Sequence, residues 1–247
     1  MSAEIDVISD GPLMTVTLAR PDKRNALTAT MYAALADALD AAEADPGVAA
    51  LVLQSEGESF CAGNDIAEFL NTPPPEAGAP VLRFLQALAG TSVPLVAAID
   101  GDAVGVGATM LLHCDFVLAS DRARLRFPFV DLALVPEAGS TYLLPRRVGG
   151  LRAAELLLLG MGVGAREALA LGLVSRIVPQ AGLRGEAQSL GRALPAKPVG
   201  ALRATKALMR GDEGMHTRAM AREAAVLRTR LVSAEARAAF AGFLARR

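Results

Sequence analysis

The 247-residue chain is 52% hydrophobic and 21% charged, long and apolar enough for one large buried domain, or one domain with a small appendage. Its 4% aromatic content and lack of Trp disfavour a site built on stacked rings, while Cys61 and Cys114, its only cysteines, exclude a disulfide framework and sit in no metal-ligand spacing. Met1 leads into Ser-Ala-Glu-Ile-Asp-Val without a basic or long apolar segment, and no uncharged run reaches membrane-spanning length, so a cytoplasmic protein with no membrane partner and no metal is expected.

Residues 5–8 and 13–18 are apolar or alternating and flank Asp10-Gly11-Pro12, which predicts a β-hairpin. Thr28 then caps a helix with Met31, Leu35, Ala38 and Leu39 on one face, stopped by Asp45-Pro46-Gly47. Strand, loop and helix repeat through 48–53, 94–99 and 116–119. The Pro-rich stretch 72–78 reads as a surface loop, because the pattern resumes directly after it. A helix starts near Ser140, the chain is mostly helical from Leu151, and Lys197-Pro198 opens a last helical block that runs to Arg247. Charge is divided unevenly. Residues 197–247 carry eleven Lys/Arg against four Asp/Glu, whereas residues 1–196 carry fourteen against twenty-two. Such a basic segment suits phosphates, an acidic face of another subunit, nucleic acid, or simply a solvated helix face.

Two segments carry the chemistry. Ser-Phe-Cys-Ala-Gly-Asn-Asp-Ile at 59–66 and Ile-Asp-Gly-Asp-Ala-Val-Gly-Val-Gly at 99–107 each follow a strand-like run and pass through small residues into a helix-like one. Such loops bring amide N–H groups close to a ligand, and a pair of them can aim two donors at one oxygen. A dinucleotide fingerprint at Gly105-Val106-Gly107 fails, since Met110 stands where a third Gly is required and Asp121 comes too early.

These loops sit in order with Arg20-Pro21-Asp22-Lys23-Arg24-Asn25-Ala26-Leu27, Val135-Pro136-Glu137-Ala138-Gly139-Ser140, the 168–174 run Ala-Leu-Ala-Leu-Gly-Leu-Val and Val178-Pro179. Together they resemble the crotonase superfamily, the enoyl-CoA hydratase/isomerase family, over nearly the whole chain. The resemblance implies an α/β spiral of ββα units over residues 1–195 that binds acyl-CoA. It also implies a helical segment, 196–247, that packs between subunits of a homotrimer or a hexamer. Position by position, Asn64 and Val106 become the backbone donors to the thioester oxygen, assisted by the positive end of the helix after Gly105. Many relatives carry Gly at 106, so a valine there is expected to crowd the pocket. Arg24, Ala62, Asp65 and Ile66 match positions that line the CoA groove, and Lys206 matches a lysine turned toward its nucleotide end. Arg24 and Lys206 also fit ordinary surface charges. Coenzyme A belongs to the substrate, and no separate cofactor is expected.

Hydratases of the family use two glutamates, and their positions hold Thr109 and Phe129 here. A hydroxyl and a phenyl ring replace neither a base nor an acid near neutral pH. Glu137 remains, in a segment similar to peroxisomal-type 3-enoyl-CoA to 2-enoyl-CoA isomerases, where one glutamate moves the proton. A rival role for Glu137 is that of a helix N-terminal acid, worth about 0.3–1 kcal/mol. Asp131 and Asp65 are lesser candidate bases, Asp65 better suited to tying down its own loop; Ser140 and Thr141 position Glu137 or cap the helix, and His113 and Cys61 read as packed residues. The leading expectation is an enoyl-CoA isomerase. The alternatives are an enoyl-CoA hydratase of fatty-acid β-oxidation working with Glu137 and a water, a non-catalytic acyl-CoA binder, and an RNA-binding relative, against which the few aromatics count.

Overall fold

A computed structural model describes residues 4–71, 76, 78–211 and 213–245, with 69–71 and 213 described by backbone alone. Of the Pro-rich stretch 72–78, all but Glu76 and Gly78 lies outside the described residues.

The chain opens with the expected hairpin. β1 (Ile5–Asp10) and β2 (Leu13–Leu18) pair antiparallel from Ile5 opposite Leu18 to Asp10 opposite Leu13, and Gly11 turns the corner at φ +57°. Thr28 caps α1 (Ala29–Ala44) by accepting the Met31 N–H at 3.2 Å. That helix buries Met31, Tyr32, Leu35 and Leu39 against the sheet, and Asp45 ends it while its Oδ1 accepts the Gly47 N–H.

Next come β3 (Ala50–Ser55), α2 (Ile66–Asn71), α3 (Pro80–Gly90) and β4 (Leu95–Ile99). β5 (Asp102–Val104) follows, then the four-residue α4 (Val106–Thr109), β6 (Phe116–Ala119) and β7 (Arg124–Arg126). The remainder holds α5 (Ser140–Val148), α6 (Gly150–Leu158), β8 (Val163–Gly164), α7 (Ala165–Ala170), β9 (Arg176–Ile177) and α8 (Leu183–Ala193). Three helices close the chain: α9 (Val199–Arg210), α10 (Glu213–Leu231) and α11 (Ala234–Leu244).

From β4 to β7 successive strands alternate between two sheets, which winds the chain into a spiral. The larger sheet has the order β1-β2-β3-β4-β6-β9, parallel except for β1, and the smaller is β5-β7-β8. Both faces of the larger sheet are covered, so its strands are near-continuous apolar runs. Leu51, Leu53, Leu95 and Ala97 face α1 and α3, while Ala50, Val52, Val96 and Ala98 face α8. Gly191 lets α8 settle there, because a Cβ at that position would lie 2.7 Å from Leu13 Cδ1.

The terminal helices are not wholly in need of a partner. Phe240 and Ala236 are buried within the chain, where α11 packs on α2 and on the turn at 130–132. Val226, Leu208 and Met209 do remain exposed, at 48%, 82% and 79%.

Candidate active site

The loop at 59–65 and the loop at 100–107 are laced together by backbone. Cys61 N–H donates to Asp102 O and Val104 N–H to Cys61 O, at 3.0 and 2.8 Å. Glycines make the approach possible. A Cβ on Gly107 would stand 2.6 Å from Cys61 O, and one on Gly101 would overlap Glu58 O at 1.9 Å. Leu27 N–H donates to Gly63 O and Asp65 N–H to Leu27 O, so the bridge to Leu27 uses the groups on either side of Asn64. The Asn64 N–H is therefore turned to the opposite side. Its side-chain Oδ1 accepts the Tyr32 hydroxyl at 2.5 Å. Val106 opens α4 after Gly105, which has φ +57°, so its N–H has no acceptor one turn earlier.

Two expectations about Val106 are corrected. Val106 is buried in the core cluster and is not among the residues that line the cavity, so its side chain does not crowd the pocket. The helix it opens is four residues long and continues as a 3₁₀ turn, too short to supply much of a dipole.

One turn beyond Val106, the Thr109 hydroxyl donates to Glu137 Oε1 at 2.5 Å. Glu137 is 8% exposed, and its Oε2 is buried without a hydrogen-bond partner among the described residues. Burial pushes its carboxyl up to about 7; the Thr109 hydrogen bond opposes the shift and the Glu223 charge adds to it. The role of helix N-terminal acid, the rival reading for Glu137, belongs instead to Glu223 on α10. Its carboxylate accepts the Gly139 N–H at 2.6 Å, the Thr141 N–H at 2.9 Å and the Thr141 hydroxyl at 2.5 Å. Ser140 Oγ donates to Glu137 O at 2.6 Å and tightens the same turn.

Glu137 and Asn64 face a cavity of about 400 Å³ between α3 and α10, walled by Val81, Leu82, Leu85, Met220, Ala224 and Leu227 among others. Glu137 is the one carboxylate among the described residues that line it. His216 lines it too, 8% exposed, a residue no sequence pattern singled out.

Arg24 is exposed, and its carbonyl accepts the Ala62 N–H at 2.9 Å, which sets it at the rim of the first loop. Asp65 is taken up locally: it pairs with Arg20 at 2.8 Å and caps α2 through the Ala67 N–H, with half-buried Ile66 next to it. Lys206 departs from its expected place at the nucleotide end of CoA. It is buried, its Nζ donates to Val93 O at 2.6 Å and pairs with Asp115 at 2.7 Å, which leaves it no free charge for a phosphate. Asp131 is exposed and Phe129 buried, and neither is among the residues lining the cavity. Burial lifts the Cys61 thiol to about 12 and lowers His113 to about 4, and His113 Nε2 sits 2.7 Å from Ala138 O, so both are packed residues.

A doubly sheeted spiral with a buried carboxylate at the end of an apolar cavity defines a crotonase-fold protein. Residues 9–247 match the enoyl-CoA hydratase/isomerase family, and the chain belongs to it. Enoyl-CoA delta isomerase 2 of Rattus norvegicus is 36% identical over 253 aligned residues, covering 100% of this chain and 64% of that protein. The chain thus spans just under two thirds of that relative's length. An enoyl-CoA hydratase/isomerase structure from Pseudoalteromonas atlantica superposes with a TM-score of 0.95 at 38% identity, covering 99% of this chain and 98% of that one. An enoyl-CoA hydratase from Mycobacterium avium subsp. paratuberculosis superposes at 0.89 with 31% identity, covering 99% and 97%.

Proposed function

We propose that the protein moves the double bond of a 3-enoyl-CoA to the 2-position, with Glu137 as the single acid–base group. The observation that carries this is the lone, buried carboxylate at the cavity wall, with Thr109 where a second glutamate would stand. Thr109 occupies Oε1 and leaves Oε2 to accept a proton. In the reaction Glu137 takes a proton from C2 and the electron pair of that C–H bond delocalises onto the thioester oxygen. The N–H groups of Asn64 and Val106 stabilise that charge. The protonated carboxyl then delivers its proton to C4, the double bond ends between C2 and C3, and Glu137 is restored. A group titrating near 7 suits both halves of this exchange. In this reading Arg24, exposed beside the first loop, would meet the CoA phosphates. A homotrimer, or a pair of trimers, would cover the apolar side chains still exposed on α9 and α10.

The test is Glu137→Gln, which preserves shape and removes the base. Isomerisation should fall by about 10²–10⁴-fold while acyl-CoA affinity stays near wild type. A variant that isomerises at the wild-type rate refutes the assignment. One observation favours a second reading, enoyl-CoA hydratase: His216 gives the cavity a second titratable side chain, which could serve the other proton transfer of hydration.

A further inference from the structure

The C-terminal helix α10 touches the catalytic turn with one face. His216, Met220, Glu223 and Leu227 recur at four-, three- and four-residue steps, which places them on one side of the helix. Met220 and His216 pack on the turn after Glu137: a Cβ on Gly139 would lie 3.3 Å from Met220 Cγ and 3.7 Å from His216 O. Ala138 and Gly139 are both left-handed, at φ +61° and +70°, and an alanine holds that conformation at a cost of about 1–2 kcal/mol. Something must hold this turn. Its N–H groups at Gly139 and Thr141 converge on the Glu223 carboxylate, as backbone amides at a helix start converge on an anion.

We propose that Glu223 is a positioning residue for Glu137: it clamps the 137–141 turn and fills the α5 N-terminus with negative charge, which sets the pH at which Glu137 works. The inference rests on the reading of Glu137 as the base. An empty α5 N-terminus would place positive potential beside Glu137 and favour its ionised form. With Glu223 seated there, that potential is cancelled and the Glu137 proton is retained to higher pH. Burial pushes the Glu223 carboxyl upward, and its hydrogen bonds from Thr141 and Gly139 oppose that shift. Thr109 donates to it, and Tyr32 and Cys61, within electrostatic reach, have their proton loss pushed to high pH by burial. Burial holds His113 neutral, with the Ala138 O contact opposing that shift, and His216 stands on the cavity wall.

The experiment is the pH profile of kcat/KM for 3-enoyl-CoA isomerisation by the full chain, in wild type, Glu223→Gln, Thr141→Val and Glu137→Gln. Wild type should lose activity below an acidic limb near 7. Glu223→Gln removes the charge and one arm of the clamp, so its limb should move to lower pH by at least half a unit. Thr141→Val removes only the hydroxyl contact, so it should lower kcat modestly with the limb in place. A limb that stays put in a folded Glu223→Gln protein overturns the proposal and reduces Glu223 to a structural cap. If Glu223→Gln fails to fold, Glu223→Asp decides: a shorter, still anionic clamp should lower kcat and leave the limb unmoved, and a limb shifted downward contradicts the electrostatic role. Activity surviving in Glu137→Gln would instead overturn the parent reading.

Discussion

At the scale of the residue, Glu137 is held by one oxygen and left open at the other, in surroundings that penalise its charge. Its carboxyl titrates near 7 when folded and near 4.5 when unfolded. Below the lower value both states are protonated and nothing is lost. As pH rises from 4.5 toward 7 the unfolded chain releases the proton first, so stability declines, and above 7 the full penalty is present. Glu137→Gln escapes it. The variant should therefore be more stable than wild type at pH 8, by an amount on the order of 3 kcal/mol, and about equal to it at pH 4.5. Thermal melts at both pH values check this; equal gains at the two would show that ionisation is not the cause. The segment Pro136-Glu137-Ala138-Gly139-Ser140 made Glu137 legible, but its burial and its release from helix capping were not. The capping is done by Glu223, more than eighty positions away on a helix whose polar residues look like any solvated face. Tyr32 lies within α1, and its bond to Asn64 crosses thirty-two positions, beyond any local pattern.

At the scale of the element, the two donor loops were legible because each is short, glycine-bearing and placed directly after a strand. Their mutual packing follows from close backbone approach. Gly107→Ala forces a methyl against Cys61 O, so the loops must part; stability should fall by roughly 1–3 kcal/mol and kcat with it, read by denaturant titration and turnover. Val106→Pro is the cleaner probe of chemistry, because proline is tolerated at the first helical position. It deletes one N–H and should lower kcat by about 100-fold or more, provided circular dichroism shows the fold intact. Lys206 shows where motif matching misled. A lysine can satisfy a linear pattern and yet turn inward when a carboxylate and a carbonyl are in reach. Lys206→Ala should cost roughly 1–3 kcal/mol of stability by leaving the buried Val93 carbonyl without its donor, and leave the KM for acyl-CoA unchanged in protein that remains folded. A raised KM at unaltered stability would restore its role at the nucleotide.

At the scale of the whole molecule, the uneven charge has a partial explanation within one chain. Arg203 pairs with Glu43 and Lys206 with Asp115, so the basic C-terminal segment docks on the acidic remainder. Nothing in that arrangement calls for nucleic acid. The exposed Leu208 and Met209 on α9 and Val226 on α10 still predict self-association, and a monomer in sedimentation at micromolar concentration would contradict it. The spiral itself was legible from the repeat of strand, loop and helix, whereas the division of its strands into two sheets was not, because β5, β7 and β8 are two or three residues long. The reaction itself is tested most directly by giving the wild-type protein 3-enoyl-CoA and 2-enoyl-CoA esters separately and resolving the products by chromatography. One acid at the cavity wall should convert the 3-enoyl ester rapidly and add water to the 2-enoyl ester slowly. Fast hydration would contradict the account and assign the protein to the hydratases, with His216 the next residue to replace.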